Sequence, residues 1–354
     1  MKRHRWKALL GLVVTVALLV WVFRDVSATE ILDRVRRSHP GWLAGAVVAA
    51  TFVFVPRAMR WQVLLLPRHP SVPFLSRFGA VCIGFMVNNV LPARLGEFAR
   101  AYSLSRVEPV SMSAAFGSLV VERVFDGFVL AGLLALVLVG PGTPMGGAGS
   151  GEGLVRNIAL WAAALFTAAA VVLGLLVRYP DTFLRWFERT LGRVLPPHLT
   201  ERGTEVLASF TEGLGALHDL RVFLRATVWT IAVWLILAAS IWCGLRAFDI
   251  EAPGFTGAVF VQAVIGFSVA IPSSPGFFGP FEAAARLSLG LYAVDPASIV
   301  GFAATYHVLT FIPVTLMGLW YLQRLGLRWS EMGKSEEIVE GAIESGGPEE
   351  PTGG

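Results

Sequence analysis

The stretch Asn88-Asn89-Val90-Leu91-Pro92-Ala93-Arg94-Leu95-Gly96-Glu97 closes an apolar segment, and its reading decides the fold. Proline lacks an amide hydrogen and glycine accepts unusual backbone angles, so Pro92 and Gly96 free peptide groups from helical pairing. In hydrocarbon, such backbone persists only where protein or a wet cavity surrounds it. A second stretch answers the first: Pro272-Ser273-Ser274-Pro275-Gly276-Phe277-Phe278-Gly279-Pro280-Phe281-Glu282. Pro92 to Gly96 and Pro275 to Gly279 have the same spacing. A glutamate follows each glycine, and an arginine follows each glutamate (Arg100, Arg286). Paired broken segments of this kind point to a midplane binding site in an inverted-repeat transporter.

Composition puts these breaks in a membrane. Only 15% of the 354 residues are charged, 55% are hydrophobic, and the mean hydropathy is +0.65. A soluble domain carries roughly a quarter charged residues, so this chain has too few to cover a surface facing water. Cys82 and Cys243 lie far apart inside apolar runs, which excludes a disulfide framework and a zinc or redox spacing. They read as buried small hydrophobes. The net charge of +4 comes mostly from arginines scattered between apolar segments. That pattern serves membrane orientation and lipid headgroups, and it gives no reason to expect nucleic acid.

The apolar stretches are 8–23, 42–66, 74–92, 111–140, 154–177, 223–247, 255–272, 276–292 and 297–323. The basic start, Lys2-Arg3-His4-Arg5-Trp6-Lys7, sets a cytoplasmic N-terminus. If 74–92 crossed fully, the arginine-rich stretch 178–222 would lie outside and the neutral loop 140–153 inside. Both placements oppose the positive-inside rule. If 74–92 dips in and returns, both are corrected, and a second dip over 255–292 begins and ends on the outer face. The expected fold is therefore all-α and polytopic, with about six full spans and two re-entrant hairpins in an inverted repeat. The C-terminus then lies in the cytoplasm like the N-terminus. Residues 24–41, placed outside with four arginines, dissent. Val26-Ser27-Ala28 also suits a signal-peptide cleavage site, although Arg24 and Asp25 crowd it.

The domain expected from this pattern spans 1–327, with an amphipathic cytoplasmic insertion over 181–222. An acidic tail, 328–354, is expected to be disordered past a short helical stub.

Ionisable residues at membrane depth are functional candidates. Asn88, Asn89, Pro92, Arg94, Gly96, Glu97 and Arg100 form the first group, with Glu97 and Arg100 spaced to pair across one helical turn. Pro275, Gly276, Gly279 and Glu282 form the second. Glu122, Arg123 and Asp126 form a third, with the two acids four apart on one helix face. These could hold a proton or cation, one of them could neutralise Arg123 or an arginine from a broken segment, or they could bind the bundle together as a buried charge network. His307 stands alone in the last span, as a packing residue or a proton-linked one. Arg57 and Arg60, with Trp61, read as a cytoplasmic interface marker, although Arg57 follows Pro56 and could reach deeper by snorkelling.

A phosphate-binding glycine loop, a His-Glu-x-x-His and a Gly-x-Ser-x-Gly motif are all missing. No cofactor and no metal are expected, and the chain is expected not to be an enzyme.

In order and spacing, three pieces together resemble the lysylphosphatidylglycerol synthase transmembrane-region family, also called flippase-like membrane proteins. They are Asn88-x-x-x-Pro92-x-Arg94-x-Gly96-Glu97-x-x-Arg100, Glu122-Arg123-x-x-Asp126, and Pro272-x-x-Pro275-Gly276-x-x-Gly279-x-Phe281-Glu282. The resemblance covers roughly 10–325. It implies a cell inner-membrane module that moves lipids between leaflets, including aminoacylated phosphatidylglycerol where it is fused to a synthase. It also implies links to hopanoid and glycolipid pathways. With only a short tail after the last span, a soluble aminoacyl-transferase domain is not expected, and the resemblance does not imply lysyl transfer. Many members have arginine where this chain has His307, which puts a fixed positive charge there in doubt.

The expectation is a translocase for a polar-headgroup lipid, anionic, aminoacylated, glycosylated or isoprenoid, working in the bilayer beside a lipid-modifying enzyme. Two alternatives are an intramembrane enzyme acting on a lipid-linked substrate and an anchor for a lipid-modifying synthase. The oligomeric state is open.

Overall fold

The computed structural model describes residues 2–65, 71–91, 94–139, 219–269 and 274–344, with the isolated positions 179, 182, 185, 189 and 190. Secondary structure among the described residues is helical throughout, as the composition led us to expect. Helices α1 (Lys2–Phe23), α2 (Ala28–Arg37), α3 (Pro40–Phe52) and α4 (Phe54–Leu65) open the chain. Next come α5 (Phe74–Val90), α6 (Gly96–Val107) and α7 (Met112–Val139). The second half holds α8 (Leu220–Ala247), α9 (Gly254–Ser268), α10 (Pro280–Gly290) and α11 (Pro296–Arg324), followed by α12 (Trp329–Met332) and α13 (Ser335–Glu344).

Among the described residues, three stretches are long and apolar enough to cross a membrane: Pro40–Leu65, α8 and α11. Leu10–Phe23 and Ala28–Arg37, bent by 79° at their junction, raise this to four if counted as one span. Helices α5 and α9 are apolar but shorter.

Each of these short helices folds back with its successor. Helix α5 runs into the first break and α6 returns, so that Ser76 near the start of α5 donates to Glu108 just past α6, at 2.5 Å. The return is tight because Gly84 and Gly96 meet backbone to backbone. A Cβ on Gly96 would sit 2.2 Å from the Gly84 carbonyl oxygen. Helices α9 and α10 do likewise. The Phe260 and Tyr292 rings lie 6.2 Å apart, bringing the first half of α9 beside the chain that leaves α10.

Helix α11, 29 residues and about 43 Å long, measures where the hairpins sit. The open end of the first lies at its C-terminal part, where Phe78 meets Tyr321 at 5.7 Å. The closed end reaches Thr315, which accepts from Asn89 Nδ2 at 2.9 Å. The closed end of the second hairpin packs Phe278 on His307 and Phe311. The two hairpins thus point at each other along one helix. Small residues allow this contact: a Cβ on Gly318 would lie 2.6 Å from the Cys82 carbonyl oxygen.

Helix α8 runs antiparallel to α3 and α4. His39 N–H donates to Ala247 O at 2.8 Å, Ser240 to Ala46 O at 2.7 Å, and Arg60 reaches Thr230 at 3.2 Å. Residues 24–41 gather with 247–254 and 291–296 at one end of the bundle. Their arginines are largely matched by acids there: Arg24 by Asp25, Arg37 by Asp33, and Arg34 by Asp295. Ser27 and Glu30 cap α2 reciprocally, so the small-residue run that suits a cleavage site is also a helix start.

Two expectations change. The tail is helical through Glu344, because Met332, Ser335 and Val339 are fully buried, with Val339 in the same core as Leu104. An apolar stripe of Ile338, Val339 and Ala342 at helical spacing gives α13 its buried face against α6 and α7. Arg60 and Trp61 mark no interface either, since both are 0% exposed. The stretch 154–177 and nearly all of the 181–222 insertion lie outside the described residues.

Candidate functional site

The third sequence group sits at the centre of a buried charge network. Glu122 Oε1 accepts from Arg100 Nη1 at 2.8 Å and from Arg123 Nη2 at 2.7 Å, and forms an ion pair with Arg60 Nη2 at 2.8 Å. Arg100 grips both oxygens, with its second contact to Oε2 at 3.0 Å. Asp126 takes Arg60 at 2.5 Å, Arg123 at 3.1 Å and the Trp234 indole N–H at 3.1 Å. Glu122 and Arg60 are completely buried and Asp126 nearly so. Desolvated carboxylates of this kind persist because guanidiniums and hydrogen bonds satisfy them. The flat face of Arg100 lies 4.0 Å from the Trp61 ring, whose indole N–H is fixed by Ser118 at 2.8 Å.

This corrects one pairing read from the sequence. Arg100 does not close on Glu97 one turn earlier, because it crosses to Glu122 on α7. Glu97 remains half-buried at the head of α6, within electrostatic reach of Arg94 and Arg123.

At the first break, Asn88 Oδ1 accepts the Gly96 N–H at 2.8 Å and ties α5 to the start of α6. Pro92 lies outside the described residues. Arg94 has a left-handed φ of 57°, a conformation costly for a side chain-bearing residue. At the second break, Gly276 and Gly279 have φ of 73° and 94°, which accounts for glycine at both positions. Pro275 starts a single 3₁₀ turn, Pro275–Phe277. Glu282 reaches back to the Gly279 N–H at 2.7 Å, and its other oxygen lies 2.7 Å from His307 Nδ1. The imidazole is stacked on Phe281 with ring centres 4.2 Å apart. The contacts of Glu282 are thus histidine and backbone, with no arginine among them.

The two breaks meet. The Arg94 guanidinium lies over the Phe277 ring at 5.3 Å. On the side of Arg94, α6 carries Arg100 into the Arg60–Glu122–Asp126 network. On the side of Phe277, the neighbouring Phe278 packs on His307 of the Glu282–His307 pair.

Several participants escaped sequence reasoning. Arg60 stands in an apolar helix three residues after Arg57, a spacing that fits an interface marker, yet its complete burial puts it inside the network. Thr15 on α1 donates to Phe278 O and accepts from Ser274 N–H, each at 3.0 Å, which clips both sides of the second break. Arg286 does not enter the network; it binds Asp25 at 2.7 Å and the carbonyls of Trp21 and Val22. Among the described residues, no group of three or more His, Cys, Asp or Glu is placed to hold a metal ion.

Comparison with known proteins places this arrangement. The glycosyltransferase AglD of Haloferax volcanii is 28% identical over 87% of this chain and 52% of its own length. The chain thus spans about half of that relative. A UPF0104 membrane protein of Methanothermobacter thermautotrophicus is 21% identical over 92% of this chain and 97% of its own. The UPF0104 membrane protein MJ1595 of Methanocaldococcus jannaschii is 27% identical over 36% of this chain and 38% of its own. The expectation that the chain is not an enzyme is overturned by the first of these, a relative named as a glycosyltransferase that matches most of this chain. The family model of the lysylphosphatidylglycerol synthase TM region matches residues 8–318, and the chain is therefore a multi-pass membrane protein belonging to that family.

Proposed function

We propose that the chain binds the headgroup of a polar lipid where its two broken segments meet, and carries that headgroup between leaflets. The observation that carries this reading is the Arg94–Phe277 contact, which joins two kinked hairpins beside a buried arginine network. The acyl chains stay in lipid, so only the headgroup needs a polar path. Helix starts and guanidiniums offer donors to an anionic group there. In this reading α5–α6 and α9–α10 are re-entrant hairpins from opposite faces, set among six full spans as an inverted repeat. Both termini are cytoplasmic. The return of each hairpin to its own starting end supports it.

A glycosyltransferase among the relatives fits a lipid handled for enzymatic modification, since transfer and translocation act on the same headgroup. A partner enzyme of lipid modification belongs to this reading. Acid–base chemistry by Glu122 and Asp126 has less support, because both carboxylates are committed to guanidiniums.

The test is movement of headgroup-labelled lipids in proteoliposomes. Arg94→Gly, Glu97→Gln and Glu282→Gln should each slow it in folded protein. Wild-type rates in all three would sink the site assignment.

A further inference from the structure

We propose that Arg57, Arg94 and Arg123 together receive a doubly charged phosphate, so that the preferred headgroup is a phosphomonoester or diphosphate. This rests on the headgroup-handling reading above and names its substrate class.

Arg57 is 5% exposed, yet its Nε and Nη1 have no hydrogen-bond partner. Its contact is the Phe85 ring, 4.7 Å away, which leaves the donor edge free. Arg94 is alike: half-buried, stacked on Phe277, with Nε unpartnered. Arg123 gives one edge to Glu122 and Asp126, while 45% of its side chain stays open. It shares Glu122 and Asp126 with Arg60, which stands one turn after Arg57 on α4, and Arg94 leads into the helix whose Arg100 binds the same Glu122. A desolvated guanidinium with idle donors is a costly thing to keep unless an anion completes it. Its planar fork matches phosphate oxygens in pairs.

Charge decides which anion. Among the described residues, the cluster holds Arg57, Arg60, Arg94, Arg100 and Arg123 against Glu97, Glu122 and Asp126, leaving two positive charges unmatched. A dianion neutralises both. A phosphodiester such as phosphatidylglycerol neutralises one, a zwitterion none, and a cationic aminoacylated headgroup adds to the surplus. The site therefore ranks lipids in that order.

The experiment measures binding to the full chain in detergent at about pH 8, where a phosphomonoester carries nearly two charges. Phosphatidic acid, phosphatidylglycerol, phosphatidylcholine and lysylphosphatidylglycerol are compared by native mass spectrometry. Phosphatidic acid should bind roughly tenfold tighter than phosphatidylglycerol. Arg57→Met should abolish that preference while the ligand-free protein melts at or above the wild-type temperature, because the variant removes an unpaired buried charge. Displacement of phosphatidic acid by millimolar inorganic phosphate assigns the site to the free dianion as well; no displacement assigns it to the lipid. Equal binding of all four lipids overturns the proposal, as does an unchanged preference in Arg57→Met. Arg94→Gly supplies a second variant should Arg57→Met fail to fold, with the same two outcomes. Translocation that persists without a phosphatidic acid preference would fell this proposal alone. Phosphatidic acid held by Arg57 in a protein that moves no lipid would fell the translocase reading alone.

Discussion

The guanidinium of Arg94 and the ring of Phe277 stack at 5.3 Å, and both residues hold a left-handed backbone, with φ of 57° and 61°. Two strained positions from opposite halves of the chain thus support each other. Strain of this kind persists only where its surroundings fix it. Buried cation–π contacts are worth about 1–2 kcal/mol. We expect a coupling energy of that size between Arg94→Gly and Phe277→Ala, read from a double-mutant cycle of melting free energies. Additive effects would show that the breaks do not lean on each other.

Glu122 carries three guanidiniums on one oxygen, so its loss leaves several charges without their acceptor. Glu122→Gln should destabilise the folded protein by about 3–5 kcal/mol. The drop in melting temperature should be larger than for Glu97→Gln, since Glu97 is only half-buried. Arg100→Met added to Glu122→Gln should recover part of it. A double variant worse than the sum would contradict a shared network.

Glu282 bridges the Gly279 N–H and His307 Nδ1. His307→Phe keeps a ring against Phe281 but deletes the polar partner, and should cost about 1–3 kcal/mol. His307→Asn, able to donate again, should restore part of the loss. Equal stability of the two variants would mean that stacking alone matters at this position.

Val339 is fully buried in the core beneath the C-terminal helix. Val339→Asp should cost at least about 3 kcal/mol, because an unpaired charge would enter that core. Limited proteolysis should spare 335–344 in the wild type and cut there in the variant. Cleavage of both at equal rates would return this segment to the disordered class.

The helical class and both breaks were legible because proline, glycine and hydropathy act locally. Residue spacing located α5 and α11 to within a few residues. Partner choice was legible only in part: a carboxylate of the Glu122–Asp126 pair neutralising an arginine of a broken segment was one alternative among several. Glu97 and Arg100 satisfy the one-turn rule, yet Arg100 reaches α7, and nothing within α6 encodes the approach of Glu122. Arg60 was misread because an arginine near a segment end usually snorkels; here acids on α7 keep it inside. The C-terminal helix was hidden by glutamates that outnumber its few buried apolar residues.

Pro313 sits inside α11, between the residues touched by one hairpin tip, His307 and Phe311, and the residue touched by the other, Thr315. Its missing amide releases the carbonyl one turn earlier, so the long rod is softest where both tips rest on it. A few degrees of flexing at this joint would part or press the tips together without disturbing either hairpin's own backbone. The compliant element is therefore a single ring in the longest of the described helices.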